Sequence, residues 1–317
     1  MTTHKKTGPG RHGHLFIIGG AEDREKDMHV LSRLVELAGG SPGGVAVITT
    51  ASSIPEEVWA TYDRAFATLG VKKRHCHSFQ SRAQANDDSL AKGLYESDII
   101  FMTGGDQKRL LSIIGGTKVD HAMHRAFRER GACIAGTSAG ASAMSEHMLF
   151  DGGNRTVLPT KGTVQIAAGL GFVRRVVIDQ HFSARQRLGR LLAVVAQNPY
   201  LLGAGIDEDT ALIVEPGNGL EVIGEGAVTI VDGREMLSNF LEADDRDRLE
   251  LTNVKLHVLP AGVAYHFDPK RQQAQHPQTR AGREVPPLLY DVVAAVAASG
   301  DATSNLPPLE TLLATEA

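Results

Sequence analysis

Cysteine is nearly absent from this 317-residue chain: Cys76 and Cys133 are the only two, too few for a disulfide framework or a four-thiolate zinc site. Aromatic residues are scarce as well, at 5% with a single tryptophan, which leaves little for base-stacking platforms. An excess of positive charge is missing: 33 lysines and arginines face 37 acids for a net charge of −4, so no global field would hold nucleic acid by counterion release. Long apolar runs are lacking too, which excludes membrane-spanning helices. The run behind the basic N-terminus, Leu15 to Ile18, is shorter than a signal-peptide core. The expectation is a cytoplasmic protein with residues 1–13 as a flexible tail and no contact with membrane.

What is present is an ordinary soluble composition, 42% hydrophobic and 22% charged, with glycine conspicuous at 34 residues against 13 prolines. The length suits one large domain or one domain with a small annex. Apolar runs ending in glycine or small polar residues recur at 14–20, 44–52, 97–105 and 132–140. They lack strict alternation, as strands buried on both faces do. Helical stretches at 24–38, 55–69 and 118–130 separate them, and this repetition predicts an α/β fold with a parallel sheet flanked by helices. Around Val176 the pattern changes: the segments 176–182 and 201–216 still read as strands, whereas 219–233 and 254–262 read as antiparallel ribbons with turn glycines. From Pro269 onward the chain is polar and proline-punctuated, with one possible helix at 288–299. The expected organisation is a single α/β domain over 14–267 and a C-terminal extension over 268–317.

In such sheets ligands bind at the carboxyl ends of the strands, where the pairs Gly19-Gly20 and Gly104-Gly105 and the segment Gly136-Thr137-Ser138-Ala139-Gly140 lie. The first pair lacks the spacing of a dinucleotide fingerprint and places Glu22 and Asp23 where a pyrophosphate needs bare amides, so no nucleotide or other cofactor is expected. The third segment fits a G-x-S-x-G nucleophile elbow between an apolar strand and a small-residue helix. The plain alternative is a helix capped by Thr137 or Ser138; the strand and helix context favours the nucleophile.

A serine nucleophile needs a base, and the base an orienting acid. Of 13 histidines, His181 stands at a strand end, two residues before Ser183, which with Gln186 has the form of a capping box. His75 with His77, and His121 with His124, share faces but lack an acidic partner at metal spacing, so no metal site is expected. Asp207, Glu208 and Asp209 offer the acid; strand alternation sets Glu208 opposite the other two, and the pattern alone does not choose. The amide of Ala139 and one from the Gly104-Gly105 pair, Gly105, are the expected oxyanion donors, with Gln107 facing the cleft. The helix after Ser183 is expected to turn Leu188, Leu191, Leu192 and Val195 to the core, with Arg187 and Arg190 on one flank and Arg185 on the other. Beside a triad, such cations suit substrate carboxylates.

Five segments, 16–25, 101–110, 136–148, 179–192 and 205–212, agree in order and content with one family: the chain resembles the cyanophycinases, serine peptidases related to alpha-aspartyl dipeptidase, from about residue 14 to 265. The resemblance implies a flavodoxin-like, class I glutamine-amidotransferase-like sheet. It also implies exo-cleavage of cyanophycin, a poly-aspartate carrying arginine on each β-carboxyl, to β-Asp-Arg dipeptides. Carried over by position, it puts the triad on Ser138, His181 and Glu208 and the substrate pocket on Gln107, Asp179, Gln180, Arg185, Arg187 and Arg190, with Asp179 meeting the substrate guanidinium. A homodimer is a further expectation from the resemblance. A glutamine amidotransferase on this fold would need cysteine at position 138, and Cys133 falls inside the preceding strand.

Overall fold

The computed structural model of the protein describes residues 13–39, 44–152, 158–215, 219–266, 278–279 and 296. The expected tail (1–13) and C-terminal extension (268–317), including the possible helix at 288–299, lie outside the described residues apart from Gly13, Gln278–Thr279 and Val296.

The expected parallel sheet is formed by β1 (Leu15–Ile18), β2 (Val45–Ile48), β3 (Arg74–His77), β4 (Ile99–Met102) and β5 (Cys133–Thr137), in the spatial order β1-β5-β4-β2-β3. Apart from the edge strand β3, every residue of these strands is buried, because helices cover both faces. Alternation along β1 divides the core: Phe16 and Ile18 pack with Leu31, Leu34, Phe66 and Phe101, whereas Leu15 and Ile17 pack with Ile100, Met102, Leu110 and Ile134. Each such side chain contributes roughly 1.5–3 kcal/mol by leaving water.

Helices α1 (His29–Leu37) and α2 (Pro55–Thr68) lie on the first side, and the second carries α3 (Arg82–Ala85), α4 (Asp88–Glu96), α5 (Gln107–Ile114) and α6 (Lys118–Arg125). The helix expected from residue 24 begins only at His29. The Asp23 carboxylate accepts from the amides of Glu25, Lys26, Asp27 and Met28 and holds that stretch as a loop. The stretch expected as one helix to residue 130 changes to a π-helical turn over Ala126–Arg130, closed by Gly131 at φ 71°.

A short helix α7 (Ala139–Ala143) follows β5, then the pair β6 (His147–Gly152) and β7 (Val164–Ala168), β8 (Val176–Asp179) and α8 (Leu188–Gln197). The stretch 201–216 is two strands in two sheets, a correction to its reading as one. Its first half, β9 (Leu202–Ile206), pairs with β8, and its second half, β10 (Thr210–Glu215), pairs antiparallel with β1. The corner between them is Asp207–Asp209, with Asp209 at φ 47°. Strands β11 (Gly219–Gly224) and β12 (Ala227–Asp232) likewise separate. The former extends the large sheet beyond β10, and the latter lies between β9 and a later strand in a four-stranded second sheet. The small pair β13 (Leu237–Ser238) and β14 (Leu251–Thr252), the second-sheet edge β15 (Lys255–Pro260), and β16 (Ala264–His266) with β17 (Gln278–Thr279) on the large sheet complete the fold. Among the described residues no helix is long and apolar enough to cross a membrane.

Candidate active site

Ser138 sits between the end of β5 and the start of α7 with φ 52° and ψ −114°, a backbone state disfavoured for any residue with a Cβ and held here by its surroundings. Its amide donates to the Ile18 carbonyl at 3.1 Å. The flanking glycines permit the sharp turn. A Cβ on Gly136 would lie 2.4 Å from the Gly140 carbonyl oxygen, and one on Gly140 would lie 2.3 Å from that of Met102. Gly104 approaches from the next strand end, its own Cβ position 3.5 Å from Ser138 Oγ.

His181, in the loop after β8, reaches the same point. The Ser138 hydroxyl lies 2.9 Å from its Nε2, and Nδ1 lies 2.6 Å from Glu208 Oε1. A carboxylate only accepts, so Nδ1 carries the proton and Nε2 offers a lone pair to the serine hydroxyl. Burial holds the imidazole below its ordinary pKa, outweighing the hydrogen bond that Nδ1 donates to Glu208; the nearby Arg185 and Arg187 charges push the same way as burial. The ring is therefore neutral near pH 7, the state a general base needs.

The three acids at the β9–β10 corner part company. The turn, rather than strand alternation, separates them. Asp207 accepts from the amides of Ser183 and Ala227 at 3.0 and 3.1 Å, Asp209 accepts from the Asp23 amide at 2.9 Å, and Glu208 alone of the three meets the histidine.

The remaining expected residues fall into two groups. Gln180 is buried beside the elbow, its Oε1 3.5 Å from Ser138 Oγ, and half-buried Gln107 donates from Nε2 to the Leu149 carbonyl at 3.2 Å. Ala139 opens α7 directly after the serine, and Gly105 adjoins Gly104. Asp179 differs from expectation. Its side chain is 0% exposed and is held by Arg190 through two hydrogen bonds and by Arg187 at 3.3 Å. It has no surface left for a substrate guanidinium; it organises the two arginines instead. Burial lowers Arg187 to about 10, still protonated at neutral pH, and its Nη1 also donates to the Gln180 carbonyl. Arg185 is exposed on the other flank.

Two helix expectations are corrected. Residues 183–187 form a turn in which the Gln186 amide donates to the Ser183 carbonyl, so the capping box does not form and α8 starts at Leu188. Leu188 is consequently exposed, while Leu191 and Val195 are fully buried and Leu192 partly so. His77 stacks on Phe79 and His124 on Phe172; among the described residues no cluster of three potential metal ligands exists.

One set of contacts escaped the sequence reading, which placed Gly19-Gly20 at the ligand-binding edge of the sheet but gave the loop Gly19–Asp23 no link to His181 or to the acidic corner. The Gly19 carbonyl accepts from the His181 amide at 2.7 Å, and that of Gly20 from the Asp209 amide at 2.9 Å. The signal available was a glycine pair followed by two acids at the carboxyl end of the first strand.

The arrangement is that of nucleophile, base and acid in hydrogen-bonded series. The chain is also similar to known proteins. The cyanophycinase of Synechococcus elongatus is 35% identical over 276 residues, covering 87% of this chain and 84% of the relative. That of Geminocystis herdmanii is 36% identical over 253 residues, covering 80% and 93%. Among solved structures, a peptidase from an acI-B1 Actinobacterium matches with a TM-score of 0.61 at 21% identity, over 81% of this chain and 97% of its own, a likeness of fold. A sequence profile of peptidase family S51 matches residues 15–223, and with it the fold, the hydrogen-bonded series and the relatives converge: the chain belongs to peptidase family S51.

Proposed function

We propose that the protein is a cyanophycinase, a serine-type exopeptidase that releases β-Asp-Arg dipeptides from multi-L-arginyl-poly-L-aspartate. The observation that carries the reading is the unbroken series from Ser138 Oγ to His181 Nε2 at 2.9 Å and from His181 Nδ1 to Glu208 at 2.6 Å. His181 takes the serine proton as Oγ attacks the aspartyl backbone carbonyl, and Glu208 stabilises the imidazolium that forms. The amides of Ala139 and Gly105 receive the developing oxyanion. The imidazolium protonates the leaving amine; water, deprotonated by the same histidine, then releases the acyl group from Ser138.

Each unit of the polymer presents a carboxylate and a guanidinium. Arg185, Arg187 and Arg190 are the carboxylate-binding candidates. Gln107 and Gln180 line the approach to the serine, and Asp179 acts from behind by orienting two of the arginines. A cytoplasmic homodimer without cofactor or metal completes the reading.

An alpha-aspartyl dipeptidase would use the same elbow on short normal peptides, and a binding protein on this scaffold would cut nothing. Incubation with insoluble cyanophycin and, separately, with Asp-X dipeptides distinguishes these. Release of β-Asp-Arg by the wild type and none by Ser138→Ala supports the proposal; cleavage confined to Asp-X dipeptides, or equal release by both proteins, refutes it.

A further inference from the structure

The mechanism above uses no side chain from the loop Gly19–Asp23, yet that loop buries a carboxylate directly behind the nucleophile. Glu22 is 2% exposed. Its Oε2 accepts from Thr137 Oγ1 at 2.5 Å and its Oε1 accepts from the Tyr62 hydroxyl. Thr137 and Tyr62 are themselves buried, at 3% and 2%. A carboxyl group removed from water is costly unless it is hydrogen-bonded, and here each oxygen accepts from one neutral hydroxyl. Arg24 lies over the Tyr62 ring, 5.5 Å from its centroid.

Thr137 immediately precedes Ser138, whose φ of 52° needs neighbours to hold it. The backbone of the same loop reaches the other two triad segments. Gly19 and Gly20 accept from the amides of His181 and Asp209, and the Asp23 amide donates to Asp209 Oδ1. Ile18, at the loop's root, accepts from the Ser138 amide. One short connection between β1 and α1 thus touches the segments bearing nucleophile, base and acid, and Glu22 is its side-chain link to the elbow.

We infer that Glu22 is a positioning residue for the nucleophile: through Thr137 it holds the Ser138 elbow in register with His181 and Glu208. The inference rests on the reading of Ser138 as the nucleophile. A misplacement of the order of 1 Å in such a series costs about a hundredfold in rate, which sets the scale of the effect expected.

The test is the rate at which phenylmethanesulfonyl fluoride acylates Ser138 in the full chain, expressed per labelled site with the labelled fraction determined by mass spectrometry. Glu22→Ala is expected to slow acylation about 10- to 100-fold per site, with the KM for cyanophycin changing less than kcat. Glu22→Gln, which still accepts from Thr137 and can donate to Tyr62, is expected to retain a rate within several-fold of wild type. Thr137→Val removes the same hydrogen bond from the other side. It should slow acylation similarly, and the double variant Glu22→Ala/Thr137→Val should be no slower than the slower single. Should Glu22→Ala fail to fold, Thr137→Val carries the test alone. Acylation at the wild-type rate per site in either variant overturns the inference, as does a loss confined to the labelled fraction, which is a folding effect. Failure of wild-type Ser138 to be labelled overturns the nucleophile reading itself and this inference with it.

Discussion

Gly20 lies flat against the imidazole of His181: a Cβ built on it would fall 2.4 Å from Cε1 and 2.5 Å from Nε2, the nitrogen facing Ser138. Its φ of +99° is also one that side-chain-bearing residues rarely adopt. Gly20→Ala must therefore displace the ring or the loop from the position that holds Nε2 against the serine. The expected outcome is a folded protein by circular dichroism with kcat/KM lowered about a hundredfold or more. Wild-type turnover in that variant would show that the ring has room to spare.

Glu208 is the acid partner of His181, although its side chain is 41% exposed. Replacement by Gln removes the charge that favours the imidazolium and permits the wrong tautomer. Glu208→Gln is expected to lower kcat roughly 10²- to 10⁴-fold with KM little changed, the smaller figure applying if solvent supplies part of the lost stabilisation. The same change at Asp207 or Asp209, which serve backbone amides, should affect thermal stability more than turnover; steady-state kinetics on the three variants separate the roles.

Burial and the neighbouring arginine charges hold His181 below its ordinary value of 6.5. A base that must be neutral works once the pH exceeds its pKa, so kcat/KM is expected to rise with pH along an acidic limb whose midpoint lies below pH 6.5. Arg185→Ala removes one of the charges that disfavour the imidazolium and should move this acidic limb upward. A limb that stays put in Arg185→Ala would exclude that electrostatic coupling.

Asp179 joins Arg187 and Arg190 with side-chain exposures of 0, 8 and 11%. Breaking one partner of a buried ionic group leaves the others uncompensated, at a cost of about 3–5 kcal/mol. Asp179→Asn is expected to lower unfolding free energy by that order in urea denaturation. It should also raise KM for the polymer, because the arginines lose their fixed orientation.

His77 is shifted down to about 4, first by burial and then by the charge of His75. The unfolded chain takes up this proton before the folded one does, so the stability present above pH 6.5 is lost as pH falls from 6.5 toward 4. His77→Gln should consequently lose less stability than wild type between pH 7.5 and 4.5 in thermal melts; equal losses would place the acid sensitivity elsewhere.

Much of this protein was legible along the chain. The parallel strands β1, β2, β4 and β5 announce themselves as apolar runs closed by small residues, and the elbow carries its own glycines within two positions of Ser138. His181 was recognisable from its place at a strand end. The corner at Asp207–Asp209 was harder: a run that reads as one strand is two, because its halves pair with different partners, β8 and β12 on one side and β1 and β11 on the other. The capping box at Ser183 and Gln186 failed for a similar reason, its place being taken by a turn tied to Asp207.

The sequence by itself determined the sheet class, the strained serine and the histidine at the carboxyl edge, because each depends on residues within a few positions of one another. Which charges Asp179 neutralises, what lies behind the nucleophile, and how Glu208 rather than Asp207 or Asp209 comes to reach the histidine, an acid the residue pattern left open and the family resemblance alone picked, are set by the tertiary structure. Those choices are competitions among chemically similar groups, settled by distances of a few tenths of an ångström between segments far apart in the chain. The link from Glu22 to Thr137 spans 115 positions, and no local pattern encodes it.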